Sequence, residues 1–122
     1  MSDHRTVVVL AVNPRNRELL AAALDDGYTV ERFSDLSCVE RRLDDGIGLA
    51  VVDVDGFDRS VLSVVESFHT RGTPVVVLSR RVSSVLRRRA MDAGALVVLE
   101  KPVSRAELTH RVQMLLPANP RP

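Results

Sequence analysis

The chain has 122 residues, a length that suits one compact domain with a real core. Apolar residues make up 45% and charged residues 27%, with a net charge of +1, so bulk charge gives no reason to expect nucleic acid or a membrane as partner. Cys38 is the single cysteine, which excludes an internal disulfide, and no window approaches the ~20 apolar residues of a membrane span.

Ser2 to Thr6 is polar and the apolar run after it is too short for a signal peptide, so a soluble, cytoplasmic protein is expected. The first strand reads as Thr6–Val12, followed by a helix near Arg15–Asp26. A strand at Thr29–Phe33 and a helix near Asp35–Asp44 come next, with Cys38 expected as a small buried filler on that helix. The third strand, Leu49–Asp53, precedes a helix near Arg59–Arg71. Pro74–Ser79 and Val82–Ala93 form the fourth pair, Ala95–Leu99 and Arg105–Leu116 the fifth. Val and Leu fill these strands almost without alternation, as strands buried on both faces of a parallel sheet require.

Local punctuation supports the segmentation. Asn13-Pro14 offers an N-cap followed by proline at the first helical position. Gly27, Gly46, Gly72 and Gly94 follow the first four helices as C-terminal glycines, and Ser104 to Glu107 is a capping box. Residues 1–117 are expected to form one domain and 118–122, the Pro-rich "ANPRP", a tail or linker stub. His4, His69 and His110 show no metal-ligand spacing.

Five strand-helix units in this rhythm predict an α/β fold, a (βα)5 doubly wound parallel sheet with helices on both faces. Its C-terminal edge, where such sheets carry their chemistry, gathers Asn13, Asp53, Asp55, Ser79 and Lys101. An aspartate at the tip of a buried strand is costly to desolvate unless something uses it.

The arrangement resembles the receiver domain of two-component response regulators, over nearly the whole chain. "NPRNRELL" looks like the start of the first helix, and "AVVDVDG" matches the strand that ends in the phosphoacceptor, here Asp53. "TPVVVLS" puts Ser79 at the Ser/Thr position, and "DAGALVVLEKPVSRAEL" supplies Lys101 and Pro102. The resemblance implies strand order 2-1-3-4-5 (flavodoxin-like) and a cis Lys101–Pro102 bond, cheap only before proline. It also implies phosphoryl transfer from a histidine kinase to the aspartate, with Mg²⁺ held by an acidic pair, the aspartate and a backbone carbonyl.

The pattern breaks at that metal. Ala11 and Val12 stand where the acidic pair belongs, leaving Asn13 as the nearest polar residue; the aromatic switch position is Val98, and Arg80 replaces the usual small residue after Ser79. Two carboxylates at ~4 Å repel by about 4 kcal/mol at an effective ε of about 20, so an intact acidic site wants a divalent cation. Here Asp53 and Asp55 face Lys101 and Arg80 as pocket neighbours, and the pocket balances itself without a metal. One reading is therefore an atypical receiver, no enzyme and with no cofactor, that signals by phosphorylation-independent protein–protein contact. The other is that Asp55 and Asn13 rebuild a weak Mg²⁺ site and leave Asp53 a working phosphoacceptor.

A second candidate site is the arginine-rich fourth helix. Three consecutive residues, Arg87, Arg88 and Arg89, sweep about 200° of a helix, so at least one is expected near neighbouring helices. The resemblance makes the face from the fourth to the fifth helix a pairing surface, where arginines could hold Asp92 or Glu107 of a second copy. A histidine kinase or an output protein is the other partner class. Phosphate binding to nucleic acid through the Arg80 to Arg89 patch is a third reading, which the near-zero net charge and the scarcity of aromatics oppose.

Overall fold

The computed structural model describes residues 5–44 and 46–117; His4 and the expected tail 118–122 lie outside them. The order is β1 (Thr6–Leu10), α1 (Pro14–Leu24), β2 (Thr29–Phe33), α2 (Leu36–Arg42), β3 (Ile47–Asp53), α3 (Val61–Thr70), β4 (Val75–Ser79), α4 (Ser84–Asp92), β5 (Val97–Glu100) and α5 (Arg105–Leu115). The strands form one parallel sheet in the order β2-β1-β3-β4-β5, as expected.

Alternate side chains of each strand enter opposite layers. Val8, Leu10, Ala50, Val52, Val75 and Val77 pack beneath α2, α3 and α4 around Phe68. Val7, Val9, Leu49, Val51, Val76 and Leu78 pack beneath α1 and α5, against Leu20, Leu24, Leu108 and Val112. All twelve strand residues are fully buried, each contributing roughly 1.5–3 kcal/mol if a Val or Leu, which makes the sheet a rigid base for its edge. Val98, at the position where a receiver carries its aromatic, lies in the α3–α4 layer. Among the described residues no helix is long and apolar enough to cross a membrane.

Helix ends follow side-chain chemistry, with differences from the sequence reading. Asn13, Asp35, Ser83 and Ser104 accept N-cap hydrogen bonds as acceptors outside their helices. Gly72 and Gly94 close α3 and α4 in Schellman motifs: Gly72 at φ +79° with Thr73 N donating to Phe68 O, Gly94 at φ +110° with Ala95 N donating to Ala90 O. The N–H of Ala95 is thus used by α4, so β5 begins later than expected, at Val97. Gly27 and Gly46 do not cap their helices. Leu24 O accepts from both Gly27 and Tyr28, and Gly46 sits beyond the end of α2, bonded to the Asp44 carboxylate. Cys38 is half-buried against Asp35 and Arg41 rather than a core filler.

Candidate functional site

The parallel register brings the tips of β1, β3, β4 and β5 together at one edge. Asp53, the last residue of β3, pairs with Leu78, and Ser79 pairs with Glu100, so Lys101 follows directly alongside, its N–H donating to Ser79 O at 2.8 Å. The Lys101–Pro102 bond is cis, as the resemblance implied.

Asp53 is 1% exposed, and both of its oxygens are occupied. Its Oδ1 accepts the Asp55 N–H at 3.0 Å. Its Oδ2 accepts from Lys101 Nζ at 2.6 Å and also from the Asn16 side-chain amide. Lys101 Nζ further contacts Asp55 Oδ2 at 2.9 Å, so one ammonium bridges two carboxylates. Asp55 in turn accepts the Ser79 hydroxyl at 3.0 Å and the Arg80 backbone N–H at 2.9 Å. Burial pushes the Asp55 carboxyl upward, but hydrogen bonds from Lys101, the Arg80 N–H and Ser79 outweigh it and hold it below its ordinary value. Burial likewise pulls Lys101 down, yet its bonds to Asp53 and Asp55 win and hold the ammonium above its ordinary value.

The structure gathers Asp53, Asp55, Ser79 and Lys101 from the sequence-predicted set, with Pro102 fixing the turn after the lysine. It does not use Asn13 there: the Asn13 side chain accepts from Asn16 N at 2.9 Å as the N-cap of α1. The residue that reaches Asp53 is Asn16, which sequence reasoning missed. Once Asn13 is the cap, Asn16 is the third helical residue, and helical side chains lean toward the N-terminus, here toward the strand tip. That geometry was the available signal.

Arg80 also differs from expectation. It contributes its backbone N–H to Asp55, while its exposed side chain lines the surrounding cleft and leaves Lys101 as the one side-chain cation bonded to the carboxylates among the described residues. Ala11 is buried and Val12 is 41% exposed. Their carbonyls accept from Arg17 Nη1 at 2.8 and 3.3 Å, and the Val12 side chain covers the turn after Asp55, where Gly56 stands at φ +88°. A Cβ at Gly56 would approach Val12 to 3.1 Å, so the glycine serves both the backbone and the contact. Arg87, Arg88 and Arg89 are all exposed, and Asp92 and Glu107 are exposed too. The buried row of α4 is carried by Ala90.

The same architecture recurs in solved structures. The BeF3-activated DrrB receiver domain superposes with a TM-score of 0.83 at 20% identity, over 91% of this chain and 96% of that one. A response regulator receiver protein from Pseudoalteromonas atlantica gives 0.80 at 22% identity, over 91% and 96%. The chain has the receiver-domain fold. A Burkholderia pseudomallei protein named for a relation to pilus assembly shares this receiver fold, with a TM-score of 0.79 at 20% identity over 94% of this chain and 91% of that one. No family model matches the sequence, and no curated protein sequence does.

Proposed function

We propose that this receiver-fold domain is a signalling module that acts by contact with protein partners, without phosphorylation of Asp53 and without being an enzyme. The observation that carries this reading is the engagement of both oxygens of a buried Asp53: Lys101 and Asn16 bind one carboxylate oxygen and the Asp55 N–H the other. A phosphoacceptor needs a free oxygen and a cation to neutralise charge as the phosphoryl group arrives. Mg²⁺ takes near-octahedral oxygen ligands and gives up water reluctantly. The residues here do not fit it: Ala11 and Val12 bring aliphatic side chains, the Asn13 side chain caps α1, and both carboxylates already bind Lys101. No group of three or more His, Cys, Asp or Glu side chains poised for a metal occurs among the described residues. Asp53 then serves as the anion that holds β3, β5 and α1 in register at the sheet edge.

The test is incubation with a small-molecule phosphodonor, or with beryllofluoride and Mg²⁺, read by intact mass spectrometry and thermal unfolding. No Asp53 adduct and an unchanged Tm are expected. A stoichiometric adduct overturns the reading in favour of the phosphoacceptor with a rebuilt Mg²⁺ site.

The partner surface we assign is the α4 side. Arg87, Arg88 and Arg89 stand exposed with no carboxylate partner among the described residues, on a helix that also exposes Val85 and Met91. Guanidinium groups beside apolar contacts suit an acidic protein surface, including Asp92 or Glu107 of a second copy. Sedimentation over a concentration series of wild type and Arg87→Glu tests self-pairing; identical monomer behaviour in both removes it.

A further inference from the structure

A cleft of about 810 Å³ opens from the Asp53 edge and runs between α1 and the start of α5. Its far end is closed where α5 is tied to α1: Arg105 donates to Ala22 O at 3.1 Å and Thr109 to Ala23 O at 3.2 Å. Leu19, Leu20, Ala23, Val103 and Leu108 give it an apolar wall, and Leu19 is 62% exposed. The volume lies within the range of sites that enclose small organic molecules.

The charge of the cleft departs from the near-neutral balance of the whole chain. Four cationic side chains line it, Arg15, Arg80, Lys101 and Arg105, against two carboxylates, Asp53 and Asp55. Both carboxylates are bound to Lys101. Arg15 and Arg80 therefore line the cleft with no carboxylate partner among the described residues, while the Arg105 guanidinium donates to Ala22 O. A cationic rim on an apolar wall selects an anionic head on an apolar body.

We propose that this α1–α5 cleft binds a small organic anion, its apolar body against Leu19 and Val103 and its carboxylate, sulfonate or phosphate toward Arg15 and Arg80. The cleft shares Asp53, Asp55, Arg80 and Lys101 with the sheet-edge site, so the proposal rests on the reading that Asp53 carries no phosphoryl group, whose charge would oppose an anion there. Binding there would fix the α1–α5 contact and give a phosphorylation-independent module an input of its own.

The test uses three probes with one apolar body: naphthalene-1-sulfonate, 1-naphthylmethanol and 1-naphthylmethylammonium, each titrated into ¹⁵N-labelled protein. The sulfonate is expected to saturate with a Kd on the order of 1 mM or tighter, as its size allows. It should bind about tenfold more tightly than the alcohol, the worth of one charge-assisted hydrogen bond, with the ammonium weakest. Amide shifts should concentrate on α1 and on residues 101–108. Arg15→Glu, at an exposed position, should weaken the sulfonate about tenfold and the alcohol little, whereas Leu19→Asn should weaken both. Equal affinity for the three probes, shifts centred on α4, or no saturation by the sulfonate overturns the proposal.

Discussion

Replacing Lys101 by methionine keeps the unbranched apolar stem and removes the terminal ammonium, so it measures what the bridge contributes. The ammonium lies 2.6 Å from Asp53 and 2.9 Å from Asp55. At an effective ε of about 20 each pair attracts by about 6 kcal/mol, and desolvation returns several kcal/mol per ion. The Asp53 side chain is 2% exposed and cannot regain water when the ammonium leaves, so the variant keeps a buried carboxylate held only by Asn16 and the Asp55 N–H. The expected loss is about 3 kcal/mol, near the lower end for breaking a buried pair because Lys101 and Asp55 keep some solvent access. For 122 residues that lowers Tm by about 12 °C. Urea unfolding at pH 7, followed by circular dichroism, gives the free energy directly. The double variant Lys101→Met/Asp53→Asn, with both charges removed, should lose about 2 kcal/mol less than the sum of the single variants. A Lys101→Met loss below about 1 kcal/mol, or strict additivity in the cycle, would refute the view of Asp53 as a structural anion.

Stability should form a plateau across neutral pH. The raised Lys101 value adds stability that is complete below its ordinary 10.5 and fades as pH climbs through the higher folded value, while the lowered Asp55 value adds stability that is complete above its ordinary 3.8 and fades as pH falls through the lower folded value. The buried Tyr28 hydroxyl also titrates on the alkaline side, so comparing wild type with Lys101→Met in urea melts at stepped pH isolates the lysine; parallel alkaline limbs would contradict the assignment. Asn16→Ala removes a half-buried hydrogen bond to a carboxylate and should cost about 1.5 kcal/mol by urea unfolding, with the backbone cap at Asn13 intact. Gly94→Ala forces a Cβ into φ +110° and to within 2.3 Å of the His69 ring, and should cost about 2 kcal/mol or more; adding His69→Ala should recover only the ring's share, because the Cβ of residue 69 stays 2.5 Å away and the backbone strain remains, measured by the same melts.

The fold was legible because its determinants are local and repeated. Valine runs with no polar alternation specify a sheet covered on both sides, and the glycines at 72 and 94 mark helix ends through their positive φ. The meeting of Asp53, Asp55, Ser79 and Lys101 followed from right-handed crossovers, which put every strand tip on one edge. What escaped depended on direction within an element. Asn13 and Asn16 are equally polar in the sequence, and only the start of α1 decides that the first is a cap and the second leans onto Asp53. Arg80 reads as a cation, yet its backbone N–H is the part that touches Asp55. The exposure of all three arginines on α4 reflects the narrow contact of that helix, whose one fully buried residue is the small Ala90. The early end of β1, at Leu10, comes from the turn into α1 that Arg17 pins by its bonds to the Ala11 and Val12 carbonyls.

Lys101 is the single lysine in the sequence, and its side chain is 17% exposed. The chain therefore carries one ε-amine, and it stands inside the pocket at the sheet edge. An acylating reagent can modify that nitrogen only when it is deprotonated and released from both carboxylates, so the labelling rate reads how often the bridge opens. Any ligand or protein that tightens this edge should slow the reaction and any that loosens it should quicken it, an intrinsic reporter that needs no engineered tag.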